Sequence, residues 1–111
     1  VMQDGQAVMP YGVMGGQYQA SGHAAFLTSV IDDKMNLQCA IDRPRSFAHK
    51  GVLTLETGFS ETEAEALRHL GHTVEFAQAP HGGGQAVLID RERAVLIAAS
   101  DPRKDGCALG W

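Results

Sequence analysis

Met9-Pro10-Tyr11-Gly12-Val13-Met14-Gly15-Gly16 decides the fold, because an apolar, strand-like run ends in two consecutive glycines and a helical pattern follows. Adjacent glycines at a strand-to-helix junction let two backbone N–H groups turn toward one point, where the helix N-terminus adds partial positive charge. Such a concavity suits an anion, either bound or formed during a reaction. A tight turn that binds nothing is the alternative, since a glycine pair alone is a weak motif. Gly15 and Gly16 are therefore candidate site residues, with both interpretations open.

The residues that flank the glycines predict a hairpin before them and a long helix after them. Residues 1–9 form the hairpin, with a turn at Asp4-Gly5 and a second strand that runs toward the glycines. The helix extends from Gln17 to about Asp33, and small residues in its first half predict close approach of a sheet or a neighbouring helix. Its predicted buried face combines the apolar positions Ala20, Ala24, Phe26, Leu27, Val30 and Ile31. His23, with no base partner nearby, is interpreted as a hydrogen-bonded or surface histidine.

The rest of the chain alternates strand and helix signals. A short helix capped by Asn36 ends before Pro44, and a second helix begins with a capping box of Ser60 and Glu63 and ends at a glycine C-cap. Strands are predicted at 46–49, 52–56, 72–76, 86–89 and 94–99. The last two are apolar without alternation, which predicts strands covered on both faces in a layered α/β structure. The chain is thus expected to be a single domain, 1–111, of the α/β (α+β) class.

Composition and charge limit the classes of partner. The formal charge is −4 and no Lys/Arg cluster is present, so a nucleic-acid partner is not expected. No apolar run approaches the roughly 18 residues of a membrane span, so no membrane partner is expected. Cys39 and Cys107 lie apart with no C-x-x-C pairing, which favours free thiols in a reducing, cytoplasmic compartment without fixing the localisation. The closing tail is a polar turn that Trp111 is expected to pin by burial.

No metal or cofactor site is expected. The five histidines are scattered, and His69 and His72, on either side of Gly71, are interpreted as a helix-end charge and a strand residue rather than metal ligands. Pro80-His81-Gly82-Gly83-Gly84 lacks the Lys-Ser/Thr of a phosphate-binding P-loop and leads into a strand, so a plain loop is predicted. Arg45, a charged loop residue, is given a structural role only.

Five motifs occur in order along the chain. They are Met9-Pro10 to Gly15-Gly16, Ala40-Ile41-Asp42-Arg43-Pro44-Arg45, Glu56-Thr57-Gly58-Phe59 leading to Leu70-Gly71-His72, Gly84-Gln85-Ala86, and Ala99-Ser100-Asp101-Pro102-Arg103-Lys104-Asp105-Gly106. With these motifs the chain resembles, over all its 111 residues, the C-terminal part of the small subunit of the gamma-glutamyltransferase (gamma-glutamyltranspeptidase) family. The resemblance implies part of an N-terminal-nucleophile hydrolase αββα sandwich, in which two stacked sheets lie between helical layers.

The resemblance also implies a reaction. In that family a threonine at a new N-terminus, freed by self-cleavage of a precursor, attacks the carbonyl of a gamma-glutamyl amide such as glutathione, and its own amine acts as the base. Water or an acceptor amino acid or peptide then resolves the gamma-glutamyl ester. The glycine pair of the family donates backbone N–H groups to the oxyanion, and the matching catalytic positions are Gly15 and Gly16.

Two departures from the family pattern limit what the resemblance implies. Val13-Met14 stands where the family often has Ser-Pro ahead of its glycines. No position matches the N-terminal threonine motif, and Val1 has no side-chain nucleophile, so the chain alone is expected to be inactive. We therefore expect a small gamma-glutamyl substrate, and as partner the remainder of a precursor, namely the large-subunit region and the start of the small subunit, or self-association.

Two other functions stay open. A stand-alone, non-catalytic domain that serves assembly or binding predicts a cooperatively folding chain that needs no partner, whereas an enzyme piece predicts exposed apolar surface. Within the enzyme class, a related acylase of the same superfamily shares the implied fold, acting for instance on cephalosporin side chains or poly-gamma-glutamate. Fold alone does not choose among these substrates.

Overall fold

The computed structural model describes residues 1–110, which form two compact units. Unit 1 comprises residues 1–43 and the chain from Gly82 onward, and unit 2 comprises Pro44–His81. None of the helices in the described chain combines the length and the apolar character that crossing a membrane requires. The expectation for Trp111 lies outside the described residues, and the assignment of 1–111 to one domain stays a prediction.

Helices and strands are mixed along the chain, which confirms the predicted α/β (α+β) class. In chain order the elements are β1 (Met2–Gln3), β2 (Gln6–Ala7), β3 (Tyr11–Met14), α1 (Gln19–Ile31), α2 (Leu37–Asp42), β4 (Ser46–His49), β5 (Val52–Leu55), α3 (Glu61–His69), β6 (Thr73–Phe76), β7 (Gly83–Asp90) and β8 (Val95–Ser100). Short 3₁₀ turns at Gly16–Tyr18 and Pro102–Lys104 precede α1 and follow β8.

Unit 1 begins with the predicted hairpin. Strands β1 and β2 pair antiparallel around Asp4-Gly5, and both turn residues have positive φ. Glycine adopts positive φ freely and aspartate tolerates it, so this dipeptide suits a tight hairpin turn. The chain then continues into β3, which ends at the glycine pair as expected.

β3 forms one edge of a three-stranded antiparallel sheet, with β7 in the middle and β8 on the far side. In this register Val13 is opposite Gly84 and Met14 is opposite Gly83. β7 therefore begins at Gly83, and the prediction of a loop over 80–84 was wrong for its last two residues. A side chain at this position of the strand would be crowded, because a Cβ on Gly83 would lie 2.6 Å from Cγ of Lys104.

α1 packs against β3 through a face that differs from the predicted one. The buried residues of this helical segment are Tyr18, Gly22, Phe26 and Ser29. The spacing predicts that Ala20, Ala24 and Ile31 are buried, but all three are exposed. Gly22 explains the difference, because a Cβ there would lie 2.6 Å from Cε1 of Tyr18 and 2.7 Å from Cγ1 of Val13. Because Gly22 has no side chain, β3 approaches α1 closely, as the small residues predicted. The contact runs along the helix face that contains Gly22 and not along the predicted one.

α2 has the predicted cap and a second anchor that sequence analysis did not identify. The side chain of Asn36 accepts a hydrogen bond from the N–H of Cys39 at 2.8 Å, and the helix ends before Pro44. Its last carbonyl groups are held by Arg103, whose guanidinium donates to the carbonyls of Ile41 at 2.9 Å and Arg43 at 3.1 Å. A cation at a helix C-terminus is favourable for the helix dipole as well.

β8 is not covered on both faces within the described chain, so that prediction was wrong for this strand. Val95, Leu96 and Ile97 expose 45%, 69% and 39% of their surfaces, and burial begins only at Ala99. Nothing in residues 1–110 packs over the three apolar residues closely enough to bury them. An apolar strand without cover presents a surface of the kind that another polypeptide covers.

Unit 2 is a β-α-β arrangement with one added strand. β4 pairs antiparallel with β5, and β5 pairs parallel with β6, which follows α3. Its core is formed by Leu55, Ala64 and Val74, with Leu53, Phe59, Leu67 and Phe76 packed against them. Phe59, just before α3, and Ala64, in its first turns, thus belong to one cluster, as in a hydrophobic staple.

The capping box of α3 is formed as predicted. The Ser60 hydroxyl accepts from the N–H of Glu63 at 3.2 Å, and the Glu63 carboxylate accepts from the N–H of Ser60 at 2.7 Å. The backbone and hydroxyl hydrogen bonds from Ser60 lower the pKa of the Glu63 carboxyl from its ordinary value. Gly71 follows the helix with a φ of 94°, a conformation that favours glycine.

A buried glutamate ties together the two ends of unit 2. The Glu56 carboxylate accepts from the N–H of Arg45 at 3.0 Å and from the N–H of His81 at 2.7 Å. The Arg45 guanidinium also donates to the His81 carbonyl at 2.7 Å. These contacts give Arg45 the structural role that was predicted for it.

Candidate active site

Gly15 and Gly16 both need the freedom of glycine, but for different reasons. Their φ angles are 137° and 58°, in the region that other residues rarely adopt. A Cβ on Gly15 would lie 2.9 Å from Cα of Gly82 and 3.3 Å from Cβ of Tyr18, so the fold leaves no space there. A Cβ on Gly16 would meet nothing within 4 Å. Gly15 is therefore packed against its neighbours, whereas Gly16 faces open space.

The N–H groups at the glycine pair are available for a ligand. Val13 donates its N–H to Nε2 of His23 at 3.2 Å, on the edge of β3 that is not paired with β7. Alternate N–H groups of a strand point the same way, so the N–H of Gly15 lies on that edge as well. Gly16 opens the helical turn, where the first N–H groups have no acceptor within the helix. Among residues 1–110, neither glycine N–H has a hydrogen-bond acceptor.

A cavity of about 430 Å³ adjoins β3 on this side of unit 1. It is lined by residues of β3, α1, β7 and the closing turn, namely Gly12, Val13, Met14, Gln19, His23, Gly83, Gln85 and Lys104. Gly15 and Gly16 do not line the cavity, but Met14, the residue directly before Gly15, does. The volume falls in the range of about 300–1,000 Å³ that is typical of small-molecule sites.

A buried ion pair holds β7, the strand that pairs with β3 next to the glycine pair. Asp101, fully buried, accepts from the N–H of Gly84 at 2.7 Å and from Nη1 of Arg103 at 3.2 Å. Gly84 is in turn the residue opposite Val13 in the sheet. The sequence predicts only a polar turn for this stretch, and the supporting role of Asp101 emerges from the structure. The signal was present in Asp101 ahead of Pro102, since an aspartate before a proline suits the cap of a short helical turn.

The other titratable candidates do not gather into a site. His69, exposed at the end of α3, contacts the Glu65 carbonyl through Nδ1 at 2.8 Å, and His72 is exposed before β6. Cys39 and Cys107 are both free, as predicted, and both are exposed. Within residues 1–110 no group of three His, Cys, Asp or Glu side chains is placed to hold a metal ion.

Proteins of similar sequence match the chain from end to end. The family model described as Gamma-glutamyltranspeptidase matches residues 1–111. The oxamate amidohydrolase proenzyme of Klebsiella pneumoniae is 35% identical over 120 residues, which cover 99% of this chain and 22% of that protein. The glutathione hydrolase-like YwrD proenzyme of Bacillus subtilis is 31% identical over 119 residues, with 99% and 22% covered. The chain thus spans about a fifth of the length of these relatives.

A solved structure of similar fold supports the same relationship. The cephalosporin acylase from Bacillus halodurans matches with a TM-score of 0.91 and 32% identity, covering 99% of this chain and 21% of that one. This similarity confirms the fold that the sequence motifs implied, part of an N-terminal-nucleophile hydrolase structure. The family model and the two relatives confirm the resemblance itself.

Proposed function

The chain belongs to the gamma-glutamyltranspeptidase family, and we propose that it supplies the oxyanion hole and part of the scaffold for acyl transfer from gamma-glutamyl compounds such as glutathione. Gly15 and Gly16 are the catalytic residues that it contributes, through their backbone N–H groups. The nucleophile, a threonine at a new N-terminus, comes from another part of a longer precursor. The chain alone is therefore inactive.

One observation carries this proposal. Two successive glycines hold unbonded N–H groups where a strand passes into a helix, and open space lies beside Gly16. The helical segment from residue 16 through α1 adds the partial positive charge of its N-terminus at the same point. A negatively charged oxygen there would accept two hydrogen bonds and face the helix dipole.

The reaction needs this arrangement at one stage. The threonine hydroxyl oxygen bonds to the acyl carbon while its proton passes to the amine of the same residue, and the carbonyl oxygen becomes negatively charged. The two glycine N–H groups stabilise that charge, at about 3 kcal/mol for each donor. The C–N bond then breaks, the leaving amine takes the proton, and an ester remains. Water or an acceptor amine cleaves the ester through a second oxyanion at the same position.

The partner in this proposal is the remainder of the precursor. Both sequence relatives are described as proenzymes about five times as long as the matched segment, which supports a longer polypeptide. The apolar residues that β8 leaves exposed supply a surface for that remainder to cover. A stand-alone binding domain would instead be expected to bury such a strand.

A related acylase is the second candidate, because two of the similar proteins carry such names. One is an oxamate amidohydrolase proenzyme and the other a cephalosporin acylase. Each name describes cleavage of an acyl compound, for which the same oxyanion hole would serve. Parallel assays of the longer protein with a chromogenic gamma-glutamyl anilide, oxamate and a cephalosporin side-chain amide separate these substrates. Hydrolysis of the anilide at the highest kcat/KM supports the first candidate.

The first test replaces Gly16 in the longest polypeptide that contains this segment. Glycolic acid in place of Gly16, introduced during translation, replaces the N–H donor with an ester oxygen and keeps the φ of 58° that proline could not adopt. We expect kcat for the gamma-glutamyl anilide to fall about 100- to 1,000-fold with self-cleavage retained. Gly16→Ala is the matched control, because it keeps the N–H and its Cβ meets open space. Its cost is the strain of a positive φ, about 1–2 kcal/mol.

The pair of variants decides between the two interpretations of the glycines. Loss of turnover in the ester protein but only a small loss in Gly16→Ala supports the oxyanion hole. A self-cleaved ester protein with the wild-type kcat would mean that the glycines form only a turn.

A further inference from the structure

One side chain connects the two flanks of the glycine pair. Nε2 of His23 accepts the N–H of Val13 at 3.2 Å, and Nδ1 of the same ring lies 2.7 Å from the carbonyl oxygen of Gln19. Val13 lies two residues before Gly15, and Gln19 lies three residues after Gly16. The imidazole therefore bridges the end of β3 and the start of α1, the two elements between which the glycines turn.

The hydrogen bonds assign the tautomer of this imidazole. A backbone N–H only donates, so Nε2 must be an unprotonated acceptor. A backbone carbonyl only accepts, so Nδ1 must carry the proton. His23 is thus assigned as the neutral imidazole with its proton on Nδ1, and each ring nitrogen serves a different element.

Aromatic neighbours hold the ring in place. Tyr11 meets the imidazole edge-on, with ring centroids 5.3 Å apart, and itself stacks on Phe26 at 5.2 Å. Phe26 belongs to the buried face of α1, so the contact chain connects the imidazole to the packed interior of unit 1. Gln19, Gln85 and Lys104 line the same cavity as His23. Lys104 is the one of these that carries charge.

We propose that His23 is a positioning residue for the glycine pair, because its two hydrogen bonds set where β3 ends relative to where the helix begins. This inference rests on the proposed oxyanion hole and adds the residue that holds it in shape. Val13 is on an edge strand, where its N–H would otherwise have no partner from the sheet. The imidazole takes the place of a neighbouring strand at that position.

Two substitutions divide the roles of the two ring nitrogens. His23→Gln keeps an acceptor at nearly the reach of Nε2, because its side-chain carbonyl can bond to the N–H of Val13. Asparagine in His23→Asn is shorter and keeps a donor near the position of Nδ1 for the Gln19 carbonyl, but its side-chain oxygen does not reach the N–H of Val13 as Nε2 does. If His23 positions the glycines through Val13, the glutamine variant rescues what the asparagine variant loses.

His69 offers a matched control elsewhere in the chain. Its Nδ1 lies 2.8 Å from the carbonyl of Glu65, four residues earlier, as Nδ1 of His23 does with Gln19. The contact with the Glu65 carbonyl is the one hydrogen bond of the His69 side chain among the described residues. His69→Asn therefore makes the same substitution at a histidine with the same intrahelical contact but without the bridge to a strand.

The measurements are kcat and KM for the gamma-glutamyl anilide in the longer, self-cleaved protein, with hydrogen exchange at the N–H of Val13. We expect His23→Asn to lower kcat about 10- to 100-fold, as a misplacement of about 1 Å does, while KM changes less than about twofold. His23→Gln should stay within about threefold of wild type, and His69→Asn should match wild type. Exchange at Val13 should accelerate in His23→Asn only.

A wild-type kcat in His23→Asn, or an equal loss in the asparagine and glutamine variants, overturns the inference. The protein with glycolic acid in place of Gly16 distinguishes this failure from failure of the proposed function. If that ester protein is inactive while His23→Asn is fully active, the oxyanion hole stands and His23 does not position it. If the ester protein is fully active, the oxyanion hole itself is wrong, and the positioning role falls with it.

Discussion

The two longer helices of the chain follow different rules. α3 begins at a capping box formed by Ser60 and Glu63, both local in sequence, and packs Ala64 into a small core of its own unit. α1 follows the glycine pair through a 3₁₀ turn, and neither the turn nor the helix has a side-chain cap. The buried face of α1 is set by contacts of Gly22 with β3 and Tyr18. One helix is specified by its neighbours in sequence and the other by its neighbours in space.

This difference follows what each region does. A scaffold helix can use every local rule, because nothing else constrains its ends. At a site, the N-terminus of the helix has to leave its N–H groups open for a ligand, so a side-chain cap would occupy the position that the ligand needs. The missing cap before Gly16 is thus consistent with the proposed oxyanion hole, and tertiary contacts stabilise α1 in its place.

The largest expected effect breaks the buried support of the site. Asp101→Asn removes the charge that faces Arg103 and leaves one oxygen for donors on two sides, so that its NH2 group faces either the guanidinium or the N–H of Gly84. The expected cost is about 3–5 kcal/mol. The local opening free energy at the N–H of Gly84, measured by hydrogen exchange, should fall by that amount. Asp105→Asn is the control, because it removes the same charge at an exposed residue whose positive φ asparagine tolerates. Equal protection in both variants would show that the ion pair is not a support.

The second prediction concerns the sign of the change in stability caused by an alanine in α1, which tests whether α1 and α3 differ. Helix propensity alone predicts that Gly22→Ala stabilises α1 by about 1 kcal/mol. Contact with Tyr18 and Val13 predicts the opposite, a loss of about 1–3 kcal/mol from overpacking. Hydrogen exchange of the amides in α1 gives the answer. Ala66→Gly, at an exposed position of α3, should follow propensity alone and cost about 1 kcal/mol. If Gly22→Ala stabilised the protein, helix propensity would determine the effect in both helices and the tertiary contacts of Gly22 would not.

The smallest effect is a pH dependence confined to α3. Hydrogen bonds from Ser60 lower the pKa of Glu63, so the capping box stabilises the helix above the ordinary glutamate pKa of about 4.3. That stabilisation should be lost as the pH falls below this value and through the lowered pKa. Exchange protection of the first amides of α3, corrected for intrinsic rates, should decline there in wild type but not in Glu63→Gln. A parallel decline in both proteins would assign it to other groups.

The sequence predicted those parts of the fold that depend on local signals. The hairpin at Asp4-Gly5, the Asn36 cap and the capping box at Ser60 were confirmed, because each depends on residues within a few positions of one another. The glycine pair was also identified at a strand-to-helix junction. Its oxyanion role came from the resemblance and stays a prediction, since backbone conformation alone does not identify the charge that it would bind.

The parts that sequence analysis missed depend on contacts between distant residues. The stripe of α1 moved because Gly22 receives Val13 and Tyr18, and no periodicity of apolar residues contains that information. The bond between Asp101 and the N–H of Gly84 joins residues 17 positions apart. Exposure of β8 could not be foreseen either, because an apolar run indicates that a strand is covered without identifying the chain that covers it.

The most direct test of the central claim removes one N–H group and leaves every side chain in place. Glycolic acid in place of Gly16, introduced during translation of the longer protein, replaces the peptide N–H with an ester oxygen while the backbone keeps its freedom to adopt positive φ. We predict that kcat for the gamma-glutamyl anilide falls about 100- to 1,000-fold with KM little changed, because the donor acts on charge present only in the transition state. A self-cleaved ester protein with the kcat of the wild type would contradict the assignment of Gly16 to an oxyanion hole.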